Sequence, residues 1–553
     1  MRPFGPRDFH TQAPAFEPAL EAAPARNRVR LLALALFALL LLLAGRAVQL
    51  AFSGDPLAEA RGANVRAVTA RADIVDRNGV LLATTVRAFV MTATPTRVWN
   101  PAETAQRLLQ VFPDLDRAAT ERRLADRSHQ LVFLRRGLTP NQRAAVETLG
   151  LAGIGFTEEQ RRVYPNNELA AHALGYVTRD FEPQMGVEKG LDAQIRAAGR
   201  LGQPVRLSLD VRMQHALDVE LEAAALRFHA AGAAAILLDG KSGETLALSS
   251  WPAFDPNDPG AVDNDTRRNR AGADVHELGS TMKPFTVAMA LEEHLTTPAE
   301  RFNLAPGYSI DGSVITDHDP MTTPASLGDI LARSSNIGAS QLALRIGAQR
   351  QRAYFEHLGL IASAPLELGV RQGAIAPLPL TRRDLAGLGF GYGLAATPAA
   401  LAGAYTVFVN GGARVAPTLL ARSSGDAIPR TSVFSTATTQ IMLGYLRGVV
   451  TNGTGRAADV PGAEIAGKTG TAETLDETHV YDQSRNFSSF AGVFPASNPR
   501  YVIVVSLDGL PQGAVGGAAA APVVARMVER TAPMLGLRLE PRAAPQGVAA
   551  GAR

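Results

Sequence analysis

Between Leu31 and Phe52 the chain carries an apolar run that a water-soluble surface would not tolerate. Leu31 to Gly45 is unbroken Leu- and Ala-rich sequence, Arg46 interrupts it, and Ala47, Val48, Leu50, Ala51 and Phe52 continue it. Counted through Phe52 the run reaches the roughly 20 residues needed to cross a hydrocarbon layer of about 30 Å. Arg26, Arg28 and Arg30 stand just before it, the charge pattern that keeps an N-terminus in the cytoplasm and sends the following chain outward. Arg46 falls near the outer end, where its stem can snorkel to the interface. A cleaved signal peptide has an apolar core of about this length, but no A-x-A site follows, so an uncleaved anchor is expected. This divides the start of the chain into a Pro- and Ala-rich, disordered cytoplasmic tail over 1–28 and a transmembrane anchor over 29–52.

The remainder is too long for one core and suits two further domains. Net charge is only +3, and outside the N-terminus no Lys/Arg run is long enough to track a phosphate backbone, which excludes nucleic acid as a partner. The chain has no cysteine, so a thiol nucleophile, a disulfide framework and a Cys-ligated metal are all excluded. Of its 55 basic residues only Lys189, Lys241, Lys283 and Lys468 are lysines. A chain that uses arginine almost wherever a positive charge will do keeps lysine where arginine fails, and a base that must lose its proton is one such place.

From 53 to 225 the pattern is mixed α/β. Ala72 to Ala83 reads as two strands about an Asn78-Gly79 turn. Residues 101–150 carry helical spacing, with Pro101 and Pro140 at helix starts. No chemical constellation stands out here, and an elongated structural pedestal is expected. From 226 to 537 the texture changes. A strand (Ala233–Leu238), a turn and a strand (Thr245–Ser249) open the segment, and a second pair (Phe490–Phe494, Tyr501–Leu507) closes it. Helical stretches at 281–294, 326–345 and 396–409 lie between. This predicts an α+β domain: one antiparallel sheet built from both chain ends, sandwiched by helices, plus a helical subdomain. Residues 538–553 read as a disordered tail.

Three short patterns carry the chemistry. In Ser280-Thr281-Met282-Lys283, Pro284 is compatible with a helix only in its first turn, so the helix must begin near Gly279. A spacing of three then puts the Ser280 hydroxyl and the Lys283 amine on one face, close enough to share a proton, beside free N–H groups able to stabilise an oxyanion. Ser334-Ser335-Asn336, taken singly, is an ordinary polar cap or turn. In Lys468-Thr469-Gly470-Thr471 strand alternation places both threonines on one face, and Gly470 allows another backbone to approach. Such an edge can hold an extended peptide as an added strand.

S-x-x-K, S-x-N about 50 residues on and K-T-G well downstream resemble the signature set of penicillin-binding proteins and serine β-lactamases. The likeness extends over roughly 30–530. Arg71 to Gly79, Tyr164-Pro165 with Ala171 to Tyr176, and Gly186 to Lys189 resemble the pedestal of class B penicillin-binding proteins. Trp251 to Asn257, Asn269-Arg270-Ala271, Gly391-Tyr392-Gly393 and Gly453 to Ala457 resemble their catalytic domain. The short Gly186–Lys189 segment and the absence of large insertions favour the division-specific type over the elongation type. Met282 and Ala72 depart from the usual family residues without touching the chemistry.

The resemblance implies a peptidoglycan D,D-transpeptidase of the inner membrane, anchored by a single pass with its catalytic domain in the periplasm. It would act on stem peptides and be acylated by β-lactams. Ser280 would be the nucleophile and Lys283 its base, with Lys468 the cationic neighbour that depresses the Lys283 pKa. Ser334 would relay a proton, Asn336 would orient the substrate amide and Lys283, and Thr469 and Thr471, flanking Gly470, would grip the terminal carboxylate. The N–H groups of Ser280 and Thr471 would form the oxyanion hole. No cofactor or metal is implied; Asp317-His318-Asp319 is a weak candidate for zinc, because adjacent loop residues seldom converge on one ion. His276 reads as structural and Gly389–Gly393 as a turn. Implied partners are a division glycan polymerase and small bitopic divisome proteins. The rivals are a β-lactamase or carboxypeptidase, disfavoured by anchor and pedestal; a bifunctional enzyme, disfavoured by the short span before the catalytic domain; an elongation-type transpeptidase; and a catalytically dead scaffold or β-lactam sensor. Intact Ser280, Lys283 and Lys468 argue against the last.

Overall fold

The computed structural model describes residues 22–52, 71–361, 366–369, 374, 381–475, 481–511 and 516–540. Helix α1 runs from Ala22 to Phe52, beginning before the expected start of the anchor. Its leucines from Leu31 to Leu43 are more than half exposed. Among the described residues no helix is long and apolar enough to cross a membrane; the side chains of α1 are described only from Arg30 to Arg46. The tail before Ala22 lies outside the described residues, as does 541–553 of the expected C-terminal tail. Arg538 to Glu540, placed in that tail by the sequence, run beside Gly462, and Glu540 N donates to Pro461 O at 3.0 Å.

The pedestal is built on strands β1 (Ile74–Val75), β2 (Leu81–Ala93), β3 (Val132–Leu138), β4 (Ile154–Val163) and β5 (Val205–Arg206). β2 pairs antiparallel with β1, β3 and β4, and β1 pairs parallel with β5. The β1–β2 turn forms at Asn78-Gly79, where the Asp76 carboxylate accepts from the N–H groups of Asn78 and Val80. Helices α2 (Pro101–Leu108), α3 (Arg117–Ala125) and α4 (Pro140–Thr148) pack on this sheet. Pro101 and Pro140 do open helices, each behind a capping side chain, Asn100 or Thr139. The continuous helical spacing expected over 101–150 is interrupted by β3, because Leu134 and Leu138 serve the strand's buried face while β2 supplies the pairing partner.

Helix α5 (Val211–Phe228) leads into β6 (Gly232–Asp239) and β7 (Thr245–Trp251). These join β8 (Ala466–Leu475), β9 (Tyr481–Phe494) and β10 (Tyr501–Pro511) in one antiparallel sheet of order β8-β9-β10-β6-β7. Strand alternation splits its side chains between two cores. Ala234, Ile236, Leu238, Val502 and Val504 face one, and Ala233, Ala235, Leu237, Ile503 and Val505 the other. α5 and α11 (Ala520–Thr531) cover the second face. The first face is covered by α6 (Lys283–Glu292), α7 (Leu327–Ala332), α8 (Asn336–Ile346), α9 (Pro398–Tyr405) and α10 (Thr436–Asn452). Phe285 of α6, wholly buried, fills the space between Tyr405 and Phe408 and is worth about 1.5–3 kcal/mol over an exposed ring. The expected helix at 326–345 is two helices, α7 and α8, separated at Arg333–Ser335.

Candidate active site

Ser280 sits in a 3-10 turn, Gly279–Met282, that runs directly into α6, with Pro284 in the first turn of that helix as the sequence requires. The turn is clamped from two sides. Gly279 N donates to Gly391 O at 3.2 Å, and Leu278 N to Leu394 O at 3.1 Å. Gly279 has φ +49° and a Cβ there would lie 2.8 Å from Thr471 O, so only glycine lets the Ser280 turn and edge strand β8 touch.

The break between α7 and α8 presents the second group. Ser334 has φ +60°, a conformation costly for serine, and it is held there by the ends of two helices. Ser335 Oγ accepts from Gly338 N and caps α8. The left-handed turn directs both the Ser334 carbonyl and its hydroxyl at Lys283, whose Nζ lies 2.6 Å from the one and 3.0 Å from the other. Lys283 Nζ also lies 2.9 Å from Ser280 Oγ and 2.8 Å from Asn336 Oδ1. Ser334 Oγ and Ser280 Oγ are 2.8 Å apart.

β8, at the edge of the sheet, brings the third. Lys468 Nζ donates to Ser334 Oγ at 3.1 Å and to Thr469 O at 2.9 Å. Thr469 Oγ1 and Thr454 Oγ1 are 2.8 Å apart, and Thr471 Oγ1 accepts from Gly516 N at 3.0 Å. Gly470 is packed on the inner side, where a Cβ would lie 2.3 Å from Ser489 Oγ and 2.9 Å from Thr281 Cγ2. All eight residues singled out from the sequence therefore meet in one cleft: Ser280, Lys283, Ser334, Asn336, Lys468, Thr469, Gly470 and Thr471.

The two lysines are fully buried, whereas Ser280, Ser334, Asn336 and Thr471 are partly exposed. Burial pushes Lys283 well below the usual lysine range, the nearby charge of Lys468 pushes the same way, and Asp317 opposes both. Burial alone lowers Lys468 to about 7. The cleft thus holds a part-exposed hydroxyl in contact with one desolvated amine, Lys283, and linked through Ser334 to a second, Lys468: an arrangement able to support nucleophilic acyl transfer.

Comparison with known proteins agrees with this chemistry. The family described as penicillin binding protein transpeptidase domain matches residues 233–529, and the penicillin-binding protein dimerisation domain matches residues 66–203. The probable peptidoglycan D,D-transpeptidase FtsI of Caulobacter vibrioides is 37% identical over 485 residues, 85% of this chain and 82% of that protein.

The chain is a class B penicillin-binding protein.

FtsI of Escherichia coli K12 is 30% identical over 492 residues, 82% of each chain. Penicillin binding protein 3 of Mycobacterium tuberculosis, solved with aztreonam, shares the fold of this penicillin-binding protein with a TM-score of 0.67 at 24% identity, covering 85% of this chain and 97% of that one.

Two residues of this penicillin-binding protein's cleft escaped sequence reasoning. The Asp317 carboxylate, considered only as a weak metal ligand, accepts from Ser335 Oγ at 2.6 Å and from the N–H groups of Asn336 and Ile337 at 2.6 and 3.0 Å, so it anchors the start of α8. Its neighbour Asp319 pairs with Arg333. Thr454 N donates to Ala332 O while its hydroxyl meets Thr469, joining the end of α7 to β8. Each lies inside a stretch singled out from the sequence, Asp317-His318-Asp319 or Gly453 to Ala457, but nothing there marks it as a residue that ties the cleft together. His276 stacks on Phe487 with centroids 4.2 Å apart. Gly389–Gly393 forms the loop against the Ser280 turn, with Gly391 and Gly393 at positive φ.

Proposed function

We propose that the cleft is the active centre of a peptidoglycan D,D-transpeptidase in which Ser280 is the nucleophile. The observation that carries this reading is the contact of Ser280 Oγ with both Lys283 Nζ (2.9 Å) and Ser334 Oγ (2.8 Å) above a buried amine pair. A neutral Lys283 has two N–H groups and one lone pair. Ser334 O and Asn336 Oδ1 are acceptors and take the two N–H groups, which leaves the lone pair for the Ser280 proton.

In acylation the Ser280 O–H proton passes to Lys283 as Oγ bonds to the carbonyl carbon between the last two D-alanines of a stem peptide. The C–N bond then breaks, the leaving amine takes a proton through Ser334, and D-alanine departs. Lys468, donating to Ser334 Oγ, keeps that hydroxyl aligned. An amine of a neighbouring stem next attacks the ester, forms the cross-link and returns the proton to Ser280. Asn336 orients the substrate amide, Thr469 and Thr471 bind its carboxylate, and the N–H groups of Ser280 and Thr471 form the oxyanion hole, a donor there being worth about 100–1000-fold in rate.

A septal role is supported by the FtsI names of two relatives. The exposed leucines of α1 behind Arg26, Arg28 and Arg30 support an inner-membrane anchor over 29–52 with the pedestal (53–225) and the transpeptidase domain (226–537) in the periplasm. A division glycan polymerase and bitopic divisome proteins are the partners this reading assigns. Labelling of membranes with fluorescent penicillin tests it: wild type takes the label and Ser280→Ala does not. Label on Ser280→Ala would overturn the nucleophile. Depletion should give filaments; round cells would move the enzyme to elongation.

A further inference from the structure

Strand β4 of the pedestal ends at a cavity of about 490 Å³ that it shares with residues 256–260, the segment following β7. The two sides are tied across this joint, Tyr164 N donating to Asn257 Oδ1 at 3.0 Å and Asn257 Nδ2 to Tyr164 O at 2.9 Å. Arg162 lines the cavity from a buried position, its side chain 2% exposed. Its Nε donates to Glu188 and its Nη1 to Ala72 O, but Nη2 has no hydrogen-bond partner among the described residues. A buried guanidinium donor left unpaired is costly, and a fold that keeps one offers it to something.

The surroundings say what. Arg136, Arg161 and Arg179 also line the cavity, against the carboxylates of Glu159 and Asp258. Arg136 spends its charge on Glu159 at 3.5 Å. Arg161 and Arg179 are exposed and form no salt bridge among the described residues. Arg161 and Arg179 are two positive charges with Asp258 setting one negative charge against them; that balance suits a ligand with one or two negative charges, and the carboxylates repel a polyphosphate. The planar guanidinium fork matches a carboxylate edge. The volume falls in the range of about 300–1,000 Å³ typical of small-molecule sites.

We propose that this cavity binds a small carboxylate-bearing ligand, held first by Arg161 and Arg179 and then by the screened Nη2 of Arg162. The site is independent of Ser280 chemistry. It bridges the pedestal sheet and the chain leading towards the nucleophile turn, so an occupant stiffens the joint between them.

Glutarate is titrated calorimetrically into the full-length protein in detergent, with glutaramide as the uncharged isostere and inorganic phosphate as the competing anion. Saturable binding of glutarate is expected, with none of glutaramide and weaker binding of phosphate. The variant Arg161→Gln/Arg179→Gln should lose about tenfold or more in affinity, the scale of one or two charge-assisted hydrogen bonds, while fluorescent penicillin still labels Ser280. Failure of glutarate to saturate, or equal affinity in the variant, overturns the site. Tighter binding of phosphate than glutarate overturns the carboxylate assignment. Loss of penicillin labelling by the wild type would refute the transpeptidase reading and leave this site standing.

Discussion

Arg71 and Arg162 in the pedestal and Lys283 and Lys468 in the cleft are both pairs of buried cations, but only the first pair has an anion in contact. Glu188 accepts Arg71 through Oε2 at 2.5 Å and Arg162 through Oε1 at 2.7 Å, and the Tyr164 hydroxyl donates to the same carboxylate at 3.3 Å. This cluster joins three pedestal segments that the sequence showed as separate short likenesses. The lysines instead meet hydroxyls, carbonyls and an amide, with Asp317 reaching Lys283 only as a nearby charge. Pairing with a carboxylate lets buried arginines serve as structure. Leaving buried lysines unpaired pushes their protons off and makes them reactive. Burial is common to both sites; the presence of a counter-charge separates architecture from chemistry.

The largest test removes Lys283, the base proposed for the cleft. Lys283→Met should slow acylation by penicillin about 100–10,000-fold, followed as covalent label against time, while the thermal midpoint holds or rises because an uncompensated buried amine is gone. A variant that acylates normally would remove Lys283 from the base role. The mirror experiment is Glu188→Gln, which leaves Arg162 without an anion and Arg71 with Asp192 alone. Urea unfolding should show a loss of about 3–5 kcal/mol, with acylation of the folded fraction unchanged. An unchanged midpoint would mean that the pairing is not structural.

Titration sharpens the contrast further. Acylation should rise with pH as Lys283 loses its proton. Asp317→Asn removes the charge that opposes this loss, moving the midpoint to lower pH, and Lys468→Met removes a repelling charge, moving it higher. Opposite displacements would contradict the assigned electrostatics. Lys468 titrates near 7 when folded and near 10.5 when unfolded, so between those values the unfolded chain binds the extra proton. Stability should therefore rise with pH through that window, and the rise should flatten in Lys468→Met, read from urea midpoints at pH about 7 and 9.5. The smallest expected effect is Asp317→Ala on stability. Lost N-terminal capping of α8 should cost about 1 kcal/mol, visible as a lowered urea midpoint.

Much of the catalytic domain was readable because its strands are short apolar runs bounded by turn residues and many of its helices begin at prolines or capping hydroxyls. Ala233–Leu238 and Tyr501–Leu507 are near-continuous apolar runs because the sheet is buried on both faces. At Ser334 the sequence offered two readings, a continuous helix over 326–345 and a polar cap or turn at Ser334-Ser335-Asn336, and the structure takes the second. Residues 326–345 have unbroken helical spacing, and the interruption arises where Asp317, 17 residues before Ser334, captures the N–H groups that would have continued the helix. The strand Val132–Leu138 was hidden for a related reason: its pairing partner β2 is some 40 residues earlier, and local spacing carries no trace of it.

Local sequence was sufficient to place Ser280 and Lys283 three residues apart at a helix start, because proline geometry and helical rise act over a single turn. It also kept two of its four lysines, Lys283 and Lys468, within the short patterns that carry the chemistry. Convergence of Ser334 and Lys468 on that pair, and the burial that lowers both amines, required the sheet to bring an edge strand from the far end of the chain against the α7–α8 break. Desolvation and Coulomb repulsion depend on distances through space, and only the folded chain supplies them.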